Sequence, residues 1–271
     1  MAVSAVAALT LAGAASADTL RIGTEGAYPP WNSTDSTGAL VGYEVDLAHA
    51  ICDTLKMECE IVGQDWDGMI PALVNGKFDG IMAGMSITEE RKQTIDFTQG
   101  YATEPGLFVG AKDSAFAKAT YPTDVKAGVA ELKKLLKGKS IGVQTGTIHY
   151  NFLEQEFKDV ADIKVYDTVE QQNSDLAAGR VDAILADMSS SDPFLDSADG
   201  KGFTTFGPGL TGVDYPVYGE GVGIGVRKDD TALKAKLNEA LCTLKGNGKL
   251  SELTTKYFKR DISMPKSADC K

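Results

Sequence analysis

Apolar positions along the chain switch between two periods. Leu20-Arg21-Ile22-Gly23-Thr24 reads as a buried strand, and the turn that follows holds Gly26 and Pro29-Pro30. Beyond a second turn at Gly38, Val45, Ala48, Ile51 and Leu55 recur three and four apart, the spacing of one helix face. Glu60-Ile61-Val62 returns to strand, 67–75 reads as a helix stopped by Gly76, and 78–82 as the next strand. Near the far end a strand-like 221–226 leads into a long helix from about Asp230, with Leu233, Leu237, Leu241 and Leu244 on one face.

The same order occurs twice. Leu176-Ala177-Ala178-Gly179-Arg180-Val181-Asp182-Ala183-Ile184 echoes Leu73-Val74-Asn75-Gly76-Lys77-Phe78-Asp79-Gly80-Ile81 as helix end, Gly cap, basic residue and strand. Ser140-Ile141-Gly142-Val143-Gln144-Thr145-Gly146-Thr147 likewise resembles the opening strand and its Gly turn. Two α/β lobes of one plan are expected, each a mainly parallel sheet flanked by helices. The tail completes the first lobe, giving 18–105 with 216–271 as lobe 1 and 106–215 as lobe 2. Two crossing strands near 102–109 and 206–218 form the expected hinge.

In such sheets ligands bind beyond the carboxyl ends of the strands. That rule nominates Glu25, 83–86, 144–149 and 187–189 as rims facing a common cleft.

Residues 1–17 are apolar, uncharged and end in Ala15-Ser16-Ala17, the small-x-small pattern of a cleaved export signal, although no Lys or Arg precedes the apolar run. An exported chain cleaved after about Ala17 is expected, with no later segment apolar enough to span a membrane. The formal net charge of -11 disfavours nucleic acid and anionic lipid as partners. In an exported chain four cysteines point to disulfides, grouped by position as Cys52 with Cys59 and Cys242 with Cys270. With no Cys-x-x-Cys and two His, no metal and no cofactor are expected.

Three stretches then carry a resemblance: Gly42-Tyr43-Glu44-Val45-Asp46-Leu47-Ala48; Ser86-Ile87-Thr88-Glu89-Glu90-Arg91 followed by Asp96-Phe97-Thr98; and Lys256-Tyr257-Phe258. In this order and spacing they resemble the periplasmic solute-binding proteins of polar amino-acid ABC importers, over essentially the whole chain after the leader. Within that family the chain is most similar to the branch that binds lysine, arginine, ornithine, histidine and the opines octopine and nopaline. The resemblance implies the type II two-lobed fold with a two-strand hinge.

It also implies residue roles. Arg91 takes the ligand α-carboxylate through its planar fork, with Ser86 and the Thr147 amide adding donors. Asp187, on the opposite lobe, takes the α-ammonium group. Glu25 stands where basic-ligand binders carry an acid for the distal cation. Tyr28 and Trp66 sandwich the ligand side chain, His149 is a further donor, and Trp31 is structural. Ala83 and Gly84 stand where many basic amino-acid binders have serines, which widens the cleft in the manner of opine binders. An arginine-like cationic amino acid is the leading expectation, an opine the second.

The expected function is capture without catalysis, followed by delivery to the transmembrane subunits of a permease by a monomer. Cyclohexadienyl dehydratases resemble the same family, so an enzyme on this scaffold is the alternative, with Glu25 or His149 as general acid. No nucleophile-base pair or phosphate loop accompanies them, and Gly-rich 219–225 lacks the strand-turn-helix setting of a dinucleotide site. A ligand-presenting sensory module is the third reading.

Overall fold

The computed structural model describes residues 18–268 and 270; the expected leader at 1–17 lies outside them. Among the described residues thirteen strands form three sheets. The first sheet has the order β5 (Glu58–Gly63), β1 (Thr19–Thr24), β6 (Gly80–Ile81), β13 (Gly225–Val226), β7 (Asp96–Phe97). The second has the order β10 (Asp162–Tyr166), β9 (Ser140–Gln144), β11 (Ala183–Asp187), β8 (Gly106–Ala111), β12 (Phe203–Leu210). A small antiparallel sheet of β2 (Ala27–Tyr28), β3 (Asn32–Thr34) and β4 (Leu40–Val41) sits on the first lobe.

The two large sheets share one topology. β1 runs parallel to β5 and β6, as β9 does to β10 and β11. One strand in each sheet is reversed, β13 against β6 and β7, and β8 against β11 and β12. The molecule thus has the expected two α/β lobes, each built on a mainly parallel sheet.

Side chains alternate across each sheet. Along β11, Ala183 and Leu185 join the core of Phe108, Leu132, Ile141 and Phe152, while Ile184 between them joins Val109, Leu176 and Val181 on the other face. Leu20 and Ile22 of β1 pack on Leu47, Ile51, Leu237 and Leu241, and Ile81 on Met69, Leu73 and Phe78. Both faces are covered, as the period-two alternation of apolar residues in a sandwiched sheet requires.

The repeated sequence has a structural reason. Gly76 and Gly179 take φ of 75° and 68° with nothing near the position a Cβ would occupy, so backbone conformation and not space selects glycine. Three residues on, Asp79 accepts from the Arg21 amide at the start of its lobe's sheet, and Asp182 accepts from the Ser140 amide at 2.9 Å. Each lobe uses the same carboxylate to hold its first strand.

Helix Tyr43–Leu55 and helix Thr231–Gly246 match the apolar spacing, and Asp230 caps the second by accepting from Leu233 N. Three expectations shift. Residues 78–82 narrow to β6. Residues 67–75 become a 3-10 turn, Trp66–Gly68, before helix Met69–Val74. Of 221–226 only β13 is strand, because Val222 instead bridges Ser86 and Ala102. Phe206 is a full member of β12, and the Ala102–Val222 bridge lies between the two sheets.

Disulfides join Cys52 to Cys59 and Cys242 to Cys270. Cys59 lies within β5, so the first bridge ties helix Tyr43–Leu55 to the edge strand of its sheet. Among the described residues no helix is long and apolar enough to cross a membrane.

Candidate functional site

The strand ends converge. All ten residues expected at the site, Glu25, Tyr28, Trp66, Ala83, Gly84, Ser86, Arg91, Thr147, His149 and Asp187, line one pocket between the lobes, together with Gln144 and Ile148. Glu25 follows β1, Ala83 to Ser86 follow β6, Gln144 ends β9 and Asp187 ends β11. A wider groove lies in the first lobe along helix Thr231–Gly246, but none of these groups faces it.

Short helices aim the polar groups. Thr88 caps helix Glu89–Lys92 by accepting from Arg91 N, which turns the Arg91 side chain back to Ser86. Its guanidinium donates through Nη1 to Ser86 O at 3.0 Å and, across the cleft, through Nη2 to Gly146 O at 3.2 Å. It also lies 5.2 Å from the centre of the Trp66 ring, a cation–π distance. Part of Arg91 still touches solvent, yet protein crowds the guanidinium, and desolvation pulls its pKa down to about 10. It remains a cation at neutral pH. Thr147 caps helix Ile148–Glu156, so that a helix N-terminus opens on the pocket and His149 sits in its first turn.

On the second lobe Asp187 begins helix Met188–Asp196. Tyr28 of the first lobe donates to Asp187 Oδ2 at 2.9 Å. Burial, then the Asp187 charge, holds the phenol well above its ordinary pKa, which keeps it a donor. His149 Nε2 stands 3.2 Å from Asp187 Oδ1 but is not aligned for a hydrogen bond; Nδ1 lies 3.3 Å from the Tyr218 hydroxyl.

At the other end, Glu25 accepts from Gln144 Nε2 at 2.7 Å, a second bond between lobes. Burial pushes the Glu25 carboxyl up to about 7, against the opposing Gln144 bond and with a further upward push from Asp65, Glu44 and Asp67. Two carboxylates and one guanidinium therefore line the pocket. That set matches a zwitterion with an additional positive charge near Glu25.

Gly84 has φ of 61°, and a Cβ there would come within 3.4 Å of the Tyr28 ring. The backbone form selects glycine, and its bareness leaves the ring room.

Trp31 is fully buried, as its structural role requires, but it also joins the lobes: Nε1 donates to Ser189 Oγ at 3.0 Å and to Glu104 at 3.2 Å. Glu104 further accepts from Ser189 N at 3.0 Å and pairs with Arg260 at 3.3 Å. Sequence reasoning missed Glu104 and the Asn32, Glu44, Tyr101 group behind the pocket. It left Gln144 among the rims without a role, although the strand-end rule pointed to it.

Comparison with known proteins is consistent with this architecture. Residues 20–260 match the family model of bacterial extracellular solute-binding proteins, family 3. The chain is 38% identical over 260 residues to an L-arginine-binding protein of Pseudomonas aeruginosa, covering 95% of each chain. It is 36% identical over 278 residues to an octopine-binding periplasmic protein of Rhizobium meliloti, covering 92% of this chain and 93% of that one. A solved ancestral arginine-binding protein bound to arginine superposes with a TM-score of 0.77 at 34% identity, over 90% of this chain and 99% of that one. Two lobes of one topology, a pocket at their strand ends and a match running almost from end to end make this chain a member of the bacterial extracellular solute-binding proteins, family 3.

Proposed function

We propose that the protein captures a cationic amino acid of the arginine, lysine, ornithine and histidine class, arginine foremost, by closure of its two lobes. An arginine-derived opine is the second candidate. The observation that carries this reading is the placement of Arg91 and Asp187 on opposite lobes with Glu25 at the far end of the same pocket. Arg91 takes the α-carboxylate, which displaces two neutral carbonyls in favour of a charge-assisted pair. Asp187 takes the α-ammonium group, and Glu25, helped by Gln144, takes the distal cation. Tyr28 and Trp66 hold the alkyl stem between them.

The names of the relatives support the ligand class, and Ala83 and Gly84, which bring no hydroxyls to the pocket lining, suit the bulkier nitrogen of an opine. The protein works in the periplasm after loss of residues 1–17, acts as a monomer without catalysis, and passes its ligand to the transmembrane subunits of an ABC permease. Titration calorimetry of refolded, ligand-free protein against the twenty amino acids, octopine and nopaline tests the ligand. Binding of arginine or an opine at micromolar strength, about -8 kcal/mol, or tighter is expected. Silence towards all of them sinks the ligand class, and turnover of prephenate by the purified protein reverses the absence of catalysis.

A further inference from the structure

Glu44 is 1% exposed and lies in the first turn of helix Tyr43–Leu55, outside the lining of the pocket. A buried carboxylate is tolerated where donors surround it, and three do. Gly84 N donates to Oε1 at 2.8 Å, the Tyr101 hydroxyl donates to the same oxygen, and Asn32 Nδ2 donates to Oε2 at 2.8 Å. Asn32 in turn accepts from Gly26 N at 2.8 Å through Oδ1.

These bonds join three parts of the first lobe. Gly26 belongs to the turn that carries Glu25 and Tyr28, and Gly84 to the turn that carries Ala83 and Ser86. Tyr101 lies on the segment leaving the lobe, where its amide donates to Val222 O at 2.8 Å. Both glycines sit at positive φ, 73° and 61°, with no side chain of their own to fix them. Glycine has the widest conformational freedom of any residue, so a bond to its amide decides where such a turn stays.

We propose that Glu44 is a positioning residue for the pocket: its carboxylate holds the two glycine turns and the outgoing segment at Tyr101 in one arrangement, so that ligand affinity depends on a side chain that does not touch the ligand. The inference rests on the reading of the pocket as the site of a cationic amino acid or opine. Asn32 relays the same carboxylate to Gly26, and the pair acts as a unit.

The relay dictates the test. In Glu44→Gln one acceptor becomes an N–H, which faces a donor whichever way the amide turns, either Asn32 or Gly84 with Tyr101. Adding Asn32→Asp restores every bond. Asp at 32 accepts from Gly26 N and from the new amide, and the remaining Gln oxygen accepts from Gly84 and Tyr101, at unchanged total charge. Arginine affinity by calorimetry and the amide resonances of Gly26 and Gly84 by NMR are the readouts.

Glu44→Gln is expected to weaken arginine binding about tenfold or more, the effect of losing one bond to a charged group. It also shifts both glycine amides. The double variant returns affinity to within about threefold of the parent, as coupling between contacting residues predicts. Parent-like affinity in Glu44→Gln overturns the proposal. So does a double variant that folds but binds no better than the single one, or that does not fold. If Glu44→Gln alone fails to fold, the double variant against the parent decides: recovered binding supports the proposal and weak binding overturns it. Should the parent bind no cationic amino acid or opine, the functional reading fails, and the glycine amides of the ligand-free variants still decide the positioning role.

Discussion

Gln144 of the second lobe donates to Glu25 of the first across 2.7 Å, in surroundings that push the Glu25 carboxyl up to about 7. The neutral amide satisfies the carboxylate without neutralising it. A ligand cation placed there, as proposed, does both, so proton and ligand would compete for Glu25. Affinity for arginine is therefore expected to be full above pH 7 and to fall as pH drops through it, by up to about tenfold per unit. Calorimetry from pH 5 to 8 checks this, and a flat profile sinks it.

The same carboxyl has a stability consequence with the opposite sign. Its folded pKa lies above its unfolded value, so its proton favours the folded state at low pH, and that stability is lost as pH rises towards 7. Glu25→Gln keeps an acceptor for Gln144 and removes the loss. Ligand-free Glu25→Gln should be more stable than the parent at pH 8 by on the order of 2 kcal/mol, and so unfold at a higher temperature, while the two unfold at nearly the same temperature at pH 4. Its arginine affinity should fall far below the parent's at pH 8 and differ little from it at pH 4, where the parent's Glu25 already carries its proton.

Arg91 reaches Ser86 O and Gly146 O with two nitrogens of one plane, in the geometry that also suits a carboxylate. Lysine carries a single point of charge. Arg91→Lys is expected to weaken binding by about a hundredfold while leaving the thermal midpoint of ligand-free protein within a few degrees. Equal affinity in calorimetry contradicts the assigned role.

Trp31→Phe removes the donor that joins the first lobe to Ser189 and Glu104. Losing one such bond shifts the open–closed balance by about 1 kcal/mol. The ligand-free variant should show a larger radius of gyration in X-ray scattering than the parent, and about fivefold weaker ligand binding. Unchanged scattering refutes it.

The Cys242–Cys270 bridge closes a loop of 28 residues, the Cys52–Cys59 bridge one of 7. The larger loop restrains the unfolded chain more. Paired serine replacements at the first are expected to cost about 3 to 4 kcal/mol, and at the second about 2. Denaturant melts of both variants rank the two.

Much of this was legible because it is written in periodic or repeated form. The doubled run from Leu73 and from Leu176 announced two lobes, and the strand-end rule led to Glu25, Ser86, Thr147 and Asp187 without coordinates. β6 and β13 were drawn too long because alternation persists where Phe78 and Val222 leave the ladder. The polar relays escaped entirely. Glu44 lies three, four and seven residues before Leu47, Ala48 and Ile51, on the buried face of its helix, but its spacing names no partner, because Gly84, Tyr101 and Asn32 come from other parts of the chain. Glu104 hides for the same reason: burial of a carboxylate is decided by tertiary neighbours and not by local pattern.

Asp187 and Arg91 are both occupied within the protein, one by a phenol and the other by two main-chain carbonyls. On the proposed binding mode a solute swaps partners with them instead of adding bonds, so each exchange yields only the difference between a charge-assisted pair and the bonds it replaces. A molecule that matches at one end only leaves the opposite end better off as it was. Discrimination then arises from requiring simultaneous replacement at every position, and the receptor behaves as a coincidence detector more than as an adhesive.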